Sequence, residues 1–388
     1  MPSNPSCQEL LKRLVAFDTT SRNSNLDLIE FVRDLLDHHS VASELIANEE
    51  GTKANLFASI GPVDRPGLVL SGHTDVVPVD GQNWSSDPFA LTTRDERLFG
   101  RGASDMKGFI AAVLALLPEI RAVTLERPVH LAFSYDEEVG CKGVPHLLDR
   151  LVDVLPVLPK ACVVGEPTGM KIANGHKGKA GYRCTVIGRA SHSALNHKGV
   201  NAVEIAALIV ARLREMNLDF RANGPFLDGF EPPHCTVTTG VMAGGTALNI
   251  VPSSCYFEFE FRLLPGQDAN AMLAKVEEFA CETLLPSMKS IAPEATIEWC
   301  ELMSYPALGS NQPSEIERLG SALTSTEQPQ KLSFGTEAGH FAKRGIPSIV
   351  CGPGHIDVAH KPDEYVEISQ LNDCTSFLRN LVRQVTSV

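Results

Sequence analysis

Apolar residues recur at helical spacing over 10–17 and again over 26–37, with the polar break Asp18-Thr-Thr-Ser-Arg-Asn-Ser between them, and this predicts two opening helices. Short β-like runs then alternate with helical ones: a strand over 67–71, a long helix over 106–122, a strand over 129–134, a helix over 144–155 and a strand over 161–164. Strands separated by helices predict a largely parallel sheet with helices on its faces.

The pattern changes after Gly178. Residues 182–187 alternate, 200–216 read as a helix, and 235–239 alternate again. Over 255–262 the pattern sets Phe257, Phe259 and Phe261 on one face and Tyr256, Glu258, Glu260 and Arg262 on the other. One apolar and one polar face predict an antiparallel sheet covered on a single side. With a helix over 269–283 and an alternating run over 296–301, residues 179–304 read as a β-α-β-β-α-β insert. The first architecture resumes near Pro306, with a helix over 314–324, a strand over 348–351 and a closing helix over 368–385. The expected domains are therefore 1–178 with 305–388, and the insert 179–304.

At 388 residues, with 43% hydrophobic and 21% charged positions, the chain has the composition of an ordinary globular protein of two or three domains. Its formal charge of −13 opposes docking onto phosphate backbones or anionic lipid, so neither nucleic acid nor membrane is an expected partner. The longest apolar stretches, such as 109–117, are far shorter than the ~20 residues that span a bilayer. Residues 1–8 lack the basic start and apolar run of a secretory signal, and a cytoplasmic location is expected. The ten cysteines are scattered without a C-x-x-C pair, several within strand-like runs, and read as free, mostly buried thiols.

Four acidic or histidine clusters, His73-Thr-Asp75, Asp105, Asp136-Glu137-Glu138 and Glu166, each follow a predicted strand or open a predicted helix. They are spaced by about 30 residues, the length of one βαβ unit, so their side chains can meet at the carboxyl edge of one sheet. His, Asp and Glu without thiolates suit zinc or a similar divalent ion, and this many carboxylates can hold two. Taken singly, Asp105 reads equally as a helix cap and 136–138 as a surface turn. Asp75, two residues from His73 in extended backbone, points to the same side and can orient the imidazole. Of the neighbours Glu137 and Glu138, one suits a metal ligand and the other a base. There is no H-E-x-x-H helix and no G-x-S-x-G elbow. Gly100-Arg-Gly102-Ala-Ser-Asp105 lacks the third glycine of a dinucleotide loop, and Ala173 stands where a phosphate loop before Gly178-Lys179 needs its first glycine.

The chain resembles the dinuclear-zinc amidohydrolase family of acetylornithine deacetylase, succinyl-diaminopimelate desuccinylase, aminoacylase and carboxypeptidase G2. The motifs that carry the resemblance are Ser71-Gly-His73-Thr-Asp75-Val-Val-Pro78, Gly100-Arg-Gly-Ala-Ser-Asp105-Met-Lys-Gly108, Asp136-Glu-Glu-Val-Gly140, Gly165-Glu166-Pro-Thr, Ala190-Ser-His192-Ser-Ala, Asn249-Ile-Val-Pro252 and His360-Lys-Pro-Asp-Glu364, in order along nearly the whole chain. Phe334-Gly-Thr-Glu-Ala-Gly339 looks most like the acetylornithine deacetylase branch.

The resemblance implies a zinc-peptidase-like catalytic domain and a smaller inserted domain through which such proteins dimerise. It implies two divalent ions, zinc or alternatively cobalt, held by His73, Asp105 (bridging), Glu138, Glu166 and His360, with Glu137 as general base and Asp75 behind His73. Spacing alone does not choose His360 over His355. His192 is expected to reach the partner's site, and Asn249 and Arg262 to hold a substrate carboxylate. For the last two histidine and arginine positions simpler readings stand beside these: a turn cap for His192, and a surface ladder with Glu258 and Glu260 for Arg262. Thr336 and Glu337 are expected to shape the substrate pocket, with Glu337 either pairing with an ornithine ammonium or acting structurally, capping a helix or bracing the Gly335–Gly339 loop. The implied reaction is deacylation of an N-acyl amino acid, foremost N-acetyl-L-ornithine in arginine biosynthesis. Desuccinylase, aminoacylase and dipeptidase activities are alternatives within the same enzyme class, and a non-catalytic homologue that binds an amino-acid derivative or scaffolds a partner is an alternative of another class.

Overall fold

The structure, a computed structural model, describes residues 4–309 and 312–386. Two compact units separate. One runs to Gly175 and resumes over Leu308–Lys331 and from Thr336, and the other holds His176–Ala307 and Leu332–Gly335.

The first unit is built on an eight-stranded sheet in the order Ser43–Ala47, Ala54–Ile60, Val129–Ser134, Leu68–His73, Ala161–Pro167, Ser348–Gly352, Ala173–His176, Gln330–Leu332. Its central strands, Val129–Ser134 through Ser348–Gly352, run parallel. Each of them is buried along its whole length, which is why they read as near-continuous apolar runs. The predicted 106–122 helix is two: Lys107–Ala115 and Leu117–Arg121. Pro118 explains the break, since it has no N–H to donate and its ring collides with the carbonyl four residues back. The edge strand Ser43–Ala47 and its antiparallel neighbour Ala54–Ile60 lie outside the predicted pattern. The first is only half-buried, so alternation there is weak. A small three-stranded sheet joins Thr92–Arg94 and Arg97–Phe99 to Tyr365–Glu367, a pairing far too distant in sequence for local pattern to show.

The second unit is a four-stranded antiparallel sheet in the order Thr236–Gly244, Ser254–Leu263, Gly178–Ile187, Thr296–Tyr305. Phe257, Phe259 and Phe261 are buried with Tyr182 under the helices Ala202–Asn223 and Ala269–Phe279, while Glu258, Glu260 and Arg262 line the other face. The second helix continues past its predicted end through a wider turn, Ala280–Leu284, into Leu285–Ile291. All ten cysteines are free, and seven of them are buried. Among the described residues no helix is long and apolar enough to cross a membrane.

Candidate active site

The central strand order puts Leu68–His73 between Val129–Ser134 and Ala161–Pro167, so successive crossovers leave in opposite directions and open a crevice at the carboxyl ends of these strands. His73 closes its strand, Asp136–Glu138 follow the next, and Glu166 lies near the end of the third. Gly165, just before Glu166, has no room for a side chain: a Cβ there would lie 1.9 Å from the Phe109 ring. That close approach seats the buried helix Lys107–Ala115, and hence the preceding Asp105, directly over the strand. Asp105 itself does not cap this helix, whose cap position is Met106 and carries no side-chain cap bond.

Asp105 divides its two oxygens between two histidines. Oδ1 lies 3.0 Å from His73 Nε2, and Oδ2 lies 3.2 Å from His360 Nε2. His360 Nε2 is also 3.1 Å from Glu138 Oε2, and His73 Nε2 is 3.6 Å from Glu166 Oε1. Pairwise contacts thus run from His73 to Asp105 and Glu166 and from His360 to Asp105 and Glu138, while the sets whose ligand atoms all lie within 4.8 Å of one another are His73, Asp105 and Glu138, and His73, Glu137 and Glu166. His355, the competing histidine, points elsewhere and contacts Gln370 at 2.7 Å.

Asp75 lies behind His73, and its backbone carbonyl makes the closer of two contacts to the imidazole. His73 Nδ1 lies 2.9 Å from the Asp75 carbonyl oxygen, whereas the Asp75 carboxylate is 3.6 Å away. A proton on Nδ1 leaves Nε2 free to face Asp105 and Glu166. The Asp75 carboxylate instead accepts the backbone N–H groups of Glu137 (3.0 Å) and Glu138 (3.2 Å) and the Ser21 hydroxyl (2.7 Å). The turn is braced from outside by Lys53, which pairs with Asp136. The Cys141 thiol donates to Glu137 Oε1 at 3.3 Å. The 136–138 run is thus a buttressed turn, because its backbone donors have an inward acceptor.

The electrostatics are those of crowded, dry carboxylates. Burial, followed by the charge of Asp105, pushes Glu138 up to about 7, and burial with neighbouring carboxylates holds Glu137 and Glu166 well above the usual range. Burial opposes ionisation of Asp105 too, but the imidazoles of His360 and His73 outweigh it and hold this carboxyl well below its ordinary value. His360 is raised to about 10 by its bonds to Asp105 and Glu138. Glu138 Oε1 and Glu166 Oε1 are buried without a hydrogen-bond partner. Orphaned acceptors in a site of this charge are what a divalent cation would satisfy, and the O/N donor set fits zinc-type ions.

The remaining expected residues are placed as follows. Thr336 Oγ1 accepts the Ala338 N–H at 3.1 Å and so starts the short helix Ala338–Lys343. Glu337 is 0% exposed, accepts the Ser71 hydroxyl (3.2 Å) and the Ser134 hydroxyl, and makes no side-chain cap. Of its two expected roles, the bonds observed are those of a brace, tying the short helix's first turn to the strands Leu68–His73 and Val129–Ser134. His192, Asn249 and Arg262 belong to the second unit. His192 Nδ1 accepts the Ala194 N–H at 3.1 Å, and the exposed Asn249 lies on the neighbouring segment, its carbonyl bonded to the Ser193 N–H at 3.0 Å. Arg262 donates to Glu260 (2.8 Å) and the Tyr305 hydroxyl (3.1 Å), whereas Glu258 pairs with Arg183. Sequence reasoning assigned no role to Glu364, which is fully buried and accepts the backbone N–H groups of Ser104 and Asp105. Its only signal was its place at the end of the His360 motif.

Residues 69–384 match the model of the peptidase family M20/M25/M40. The chain is 33% identical over 383 residues to an acetylornithine deacetylase of Myxococcus xanthus, covering 97% of each, and 30% identical over 398 residues to one of Pasteurella multocida, covering 99% of each. In fold it is similar to an M20 metallo-carboxypeptidase of Sulfolobus solfataricus (TM-score 0.73, 18% identity, 98% of this chain and 99% of that one). It is likewise similar to a dinuclear metal-binding M20 peptidase of Bacillus subtilis (TM-score 0.65, 16% identity, 98% of each). The family match spans every strand that bears the histidine and carboxylate cluster, and the full-length relatives agree with it: the chain belongs to peptidase family M20/M25/M40 and is a metallohydrolase that acts on amide bonds.

Proposed function

We propose that the chain deacylates N-acyl amino acids with two divalent ions, zinc by donor type and cobalt as a working substitute, and that N-acetyl-L-ornithine is its preferred substrate. The observation that carries the reading of the site is Asp105, whose two oxygens face His73 and His360 separately, beside two orphaned carboxylate oxygens. The choice of N-acetylornithine, which would supply ornithine for arginine synthesis, is supported by the full-length relatives named as acetylornithine deacetylases.

In this reading His73, Asp105 and Glu166 hold one ion, and His360, Asp105 and Glu138 the other. When bound, the ions supply a Lewis acid for the acyl oxygen and lower the pKa of water toward neutrality. Glu137 takes a proton from the attacking water as its oxygen bonds to the acyl carbon, then delivers that proton to the amine as the C–N bond breaks. Asp75 and Cys141 fix Glu137 by its N–H and its carboxylate, so the base has one orientation. His192 serves as oxyanion donor in the site of a second copy. Because its Nδ1 accepts a backbone N–H, Nε2 is the ring nitrogen left to donate, as this role requires. Asn249, near it, and Arg262 bind the substrate carboxylate. The second unit forms the dimer contact, a role supported by exposed Val241, Met242, Leu248 and Ile250.

The test is turnover by the zinc-loaded protein of N-acetylornithine, N-succinyl-diaminopimelate, N-acetylmethionine and a dipeptide. N-acetylornithine is expected to give the highest kcat/KM by at least about tenfold, a margin of one good polar contact. Preference for another member would overturn the substrate assignment alone, and no hydrolysis of any would overturn the catalytic reading.

A further inference from the structure

The loops that carry Asp105 and His360 come from opposite ends of the first unit's sequence and are joined by a chain of side chains to which the reaction assigns no role. Glu364, fully buried, accepts the N–H groups of Ser104 (2.9 Å) and Asp105 (3.0 Å) with one oxygen and Arg101 Nη1 (2.6 Å) with the other. Arg101, also buried, sends Nη2 to Gln82 Oε1 at 2.7 Å and lies over the Trp84 ring at 5.0 Å. Trp84 Nε1 donates to the same Gln82 oxygen at 3.0 Å. Two donors on that oxygen fix the amide's orientation, so its NH2 group faces the other way, where it donates to the His360 carbonyl at 2.9 Å. His360 needs such a hold: its φ is +62° and its side chain is 50% exposed.

We infer that Gln82, Arg101 and Glu364 are positioning residues that set the His360 loop at a fixed distance from the Asp105 backbone, and that Gln82, through the His360 carbonyl, governs binding of the ion held by His360, Asp105 and Glu138 while leaving the ion of His73, Asp105 and Glu166 largely unaffected. The inference rests on the two-ion reading above. Its physical basis is that outer partners of metal ligands fix ligand geometry, and their loss typically costs about 10–100-fold in affinity. Gln82 is the selective handle, because it is partly exposed and its amide donates directly to the His360 carbonyl, whereas Glu364 holds the backbone of Asp105, which both ions share.

The test is titration of the metal-free full-length protein with Zn2+ against a competing chelator, with thermal unfolding of the metal-free form alongside. Gln82→Glu keeps an acceptor for Arg101 and Trp84 but cannot donate to the His360 carbonyl, and Gln82→Met controls for the added charge. In both variants one of the two Zn2+ sites is expected to weaken by roughly tenfold or more with the other site unchanged, and the metal-free Tm is expected to be unchanged in Gln82→Glu, which keeps the acceptor for Arg101 and Trp84. Two sites as tight as in the wild type would overturn the inference alone. Equal weakening of both sites with a lower metal-free Tm would also overturn it, since that is a general structural role. If the wild type binds fewer than two Zn2+ ions, the two-ion reading falls and takes the inference with it.

Discussion

Replacing Glu337 separates a buried brace from a substrate contact. Its two oxygens accept the hydroxyls of Ser71 and Ser134, and it has no exposed surface. Ser71 is two residues before His73, and Ser134 is paired with His73 across the parallel strands. Glu337→Ala strands two buried hydroxyls at about 1–3 kcal/mol each, so a loss of roughly 2–6 kcal/mol is expected. At roughly 2 °C per kcal/mol for a protein of this size, Tm should fall by about 4–12 °C. Glu337→Gln keeps the shape and one acceptor and should cost about 1–3 kcal/mol. Because the brace sits under the strands that present His73 and the 136–138 turn, both variants should lower turnover of N-acetylornithine and N-acetylmethionine by the same factor. The assays are thermal unfolding and kcat/KM on the two substrates. A Gln variant that loses tenfold or more on N-acetylornithine, spares N-acetylmethionine and keeps its Tm would refute the reasoning, because only direct contact with the side-chain ammonium discriminates the two.

Glu137→Gln should retain both metals while activity falls by ~10²–10⁴, whereas Glu138→Gln should lose metal and activity together; metal analysis beside rate measurement checks this, and equal metal loss would mean ligand and base have been exchanged. Mixing Glu137→Gln protein with His192→Ala protein should restore activity, since one site of each mixed dimer regains both groups; failure despite subunit exchange shown by mass measurement would count against action across the dimer. His130, buried beside Ser59 and stacked on Phe57, has its pKa lowered to about 4 by burial. Between pH 6.5 and 4 the unfolded chain therefore binds a proton that the folded chain does not, so stability falls as pH drops through this window, by about 3 kcal/mol from this group. Denaturant titrations of His130→Gln should show that part of the pH dependence removed, and an unchanged slope would sink the assignment.

Local periodicity and the motifs near strand ends carry what is legible in the sequence. The apolar runs that became Val129–Ser134 and Ala161–Pro167, the alternation of Phe257, Phe259 and Phe261, and the approach of His73, Asp105, Glu138 and Glu166 to one sheet edge were all legible, because strand burial and βαβ spacing repeat at fixed intervals. The choice of His360 over His355 came from resemblance and not from spacing. That His360 lies against Asp105 while His355 turns to Gln370 belongs to the fold, which brings a distant loop back to the sheet edge. The same holds for Asp75, which holds the 136–138 turn more closely than it holds the imidazole, and for Glu337, which lies sealed under the site. The buried Arg101–Glu364 pair, 2.6 Å apart, left no local trace either. A carboxylate's partner is set by which backbone donors and hydroxyls lie within about 3 Å of it, and residues far apart in sequence become such neighbours only once the sheet has formed.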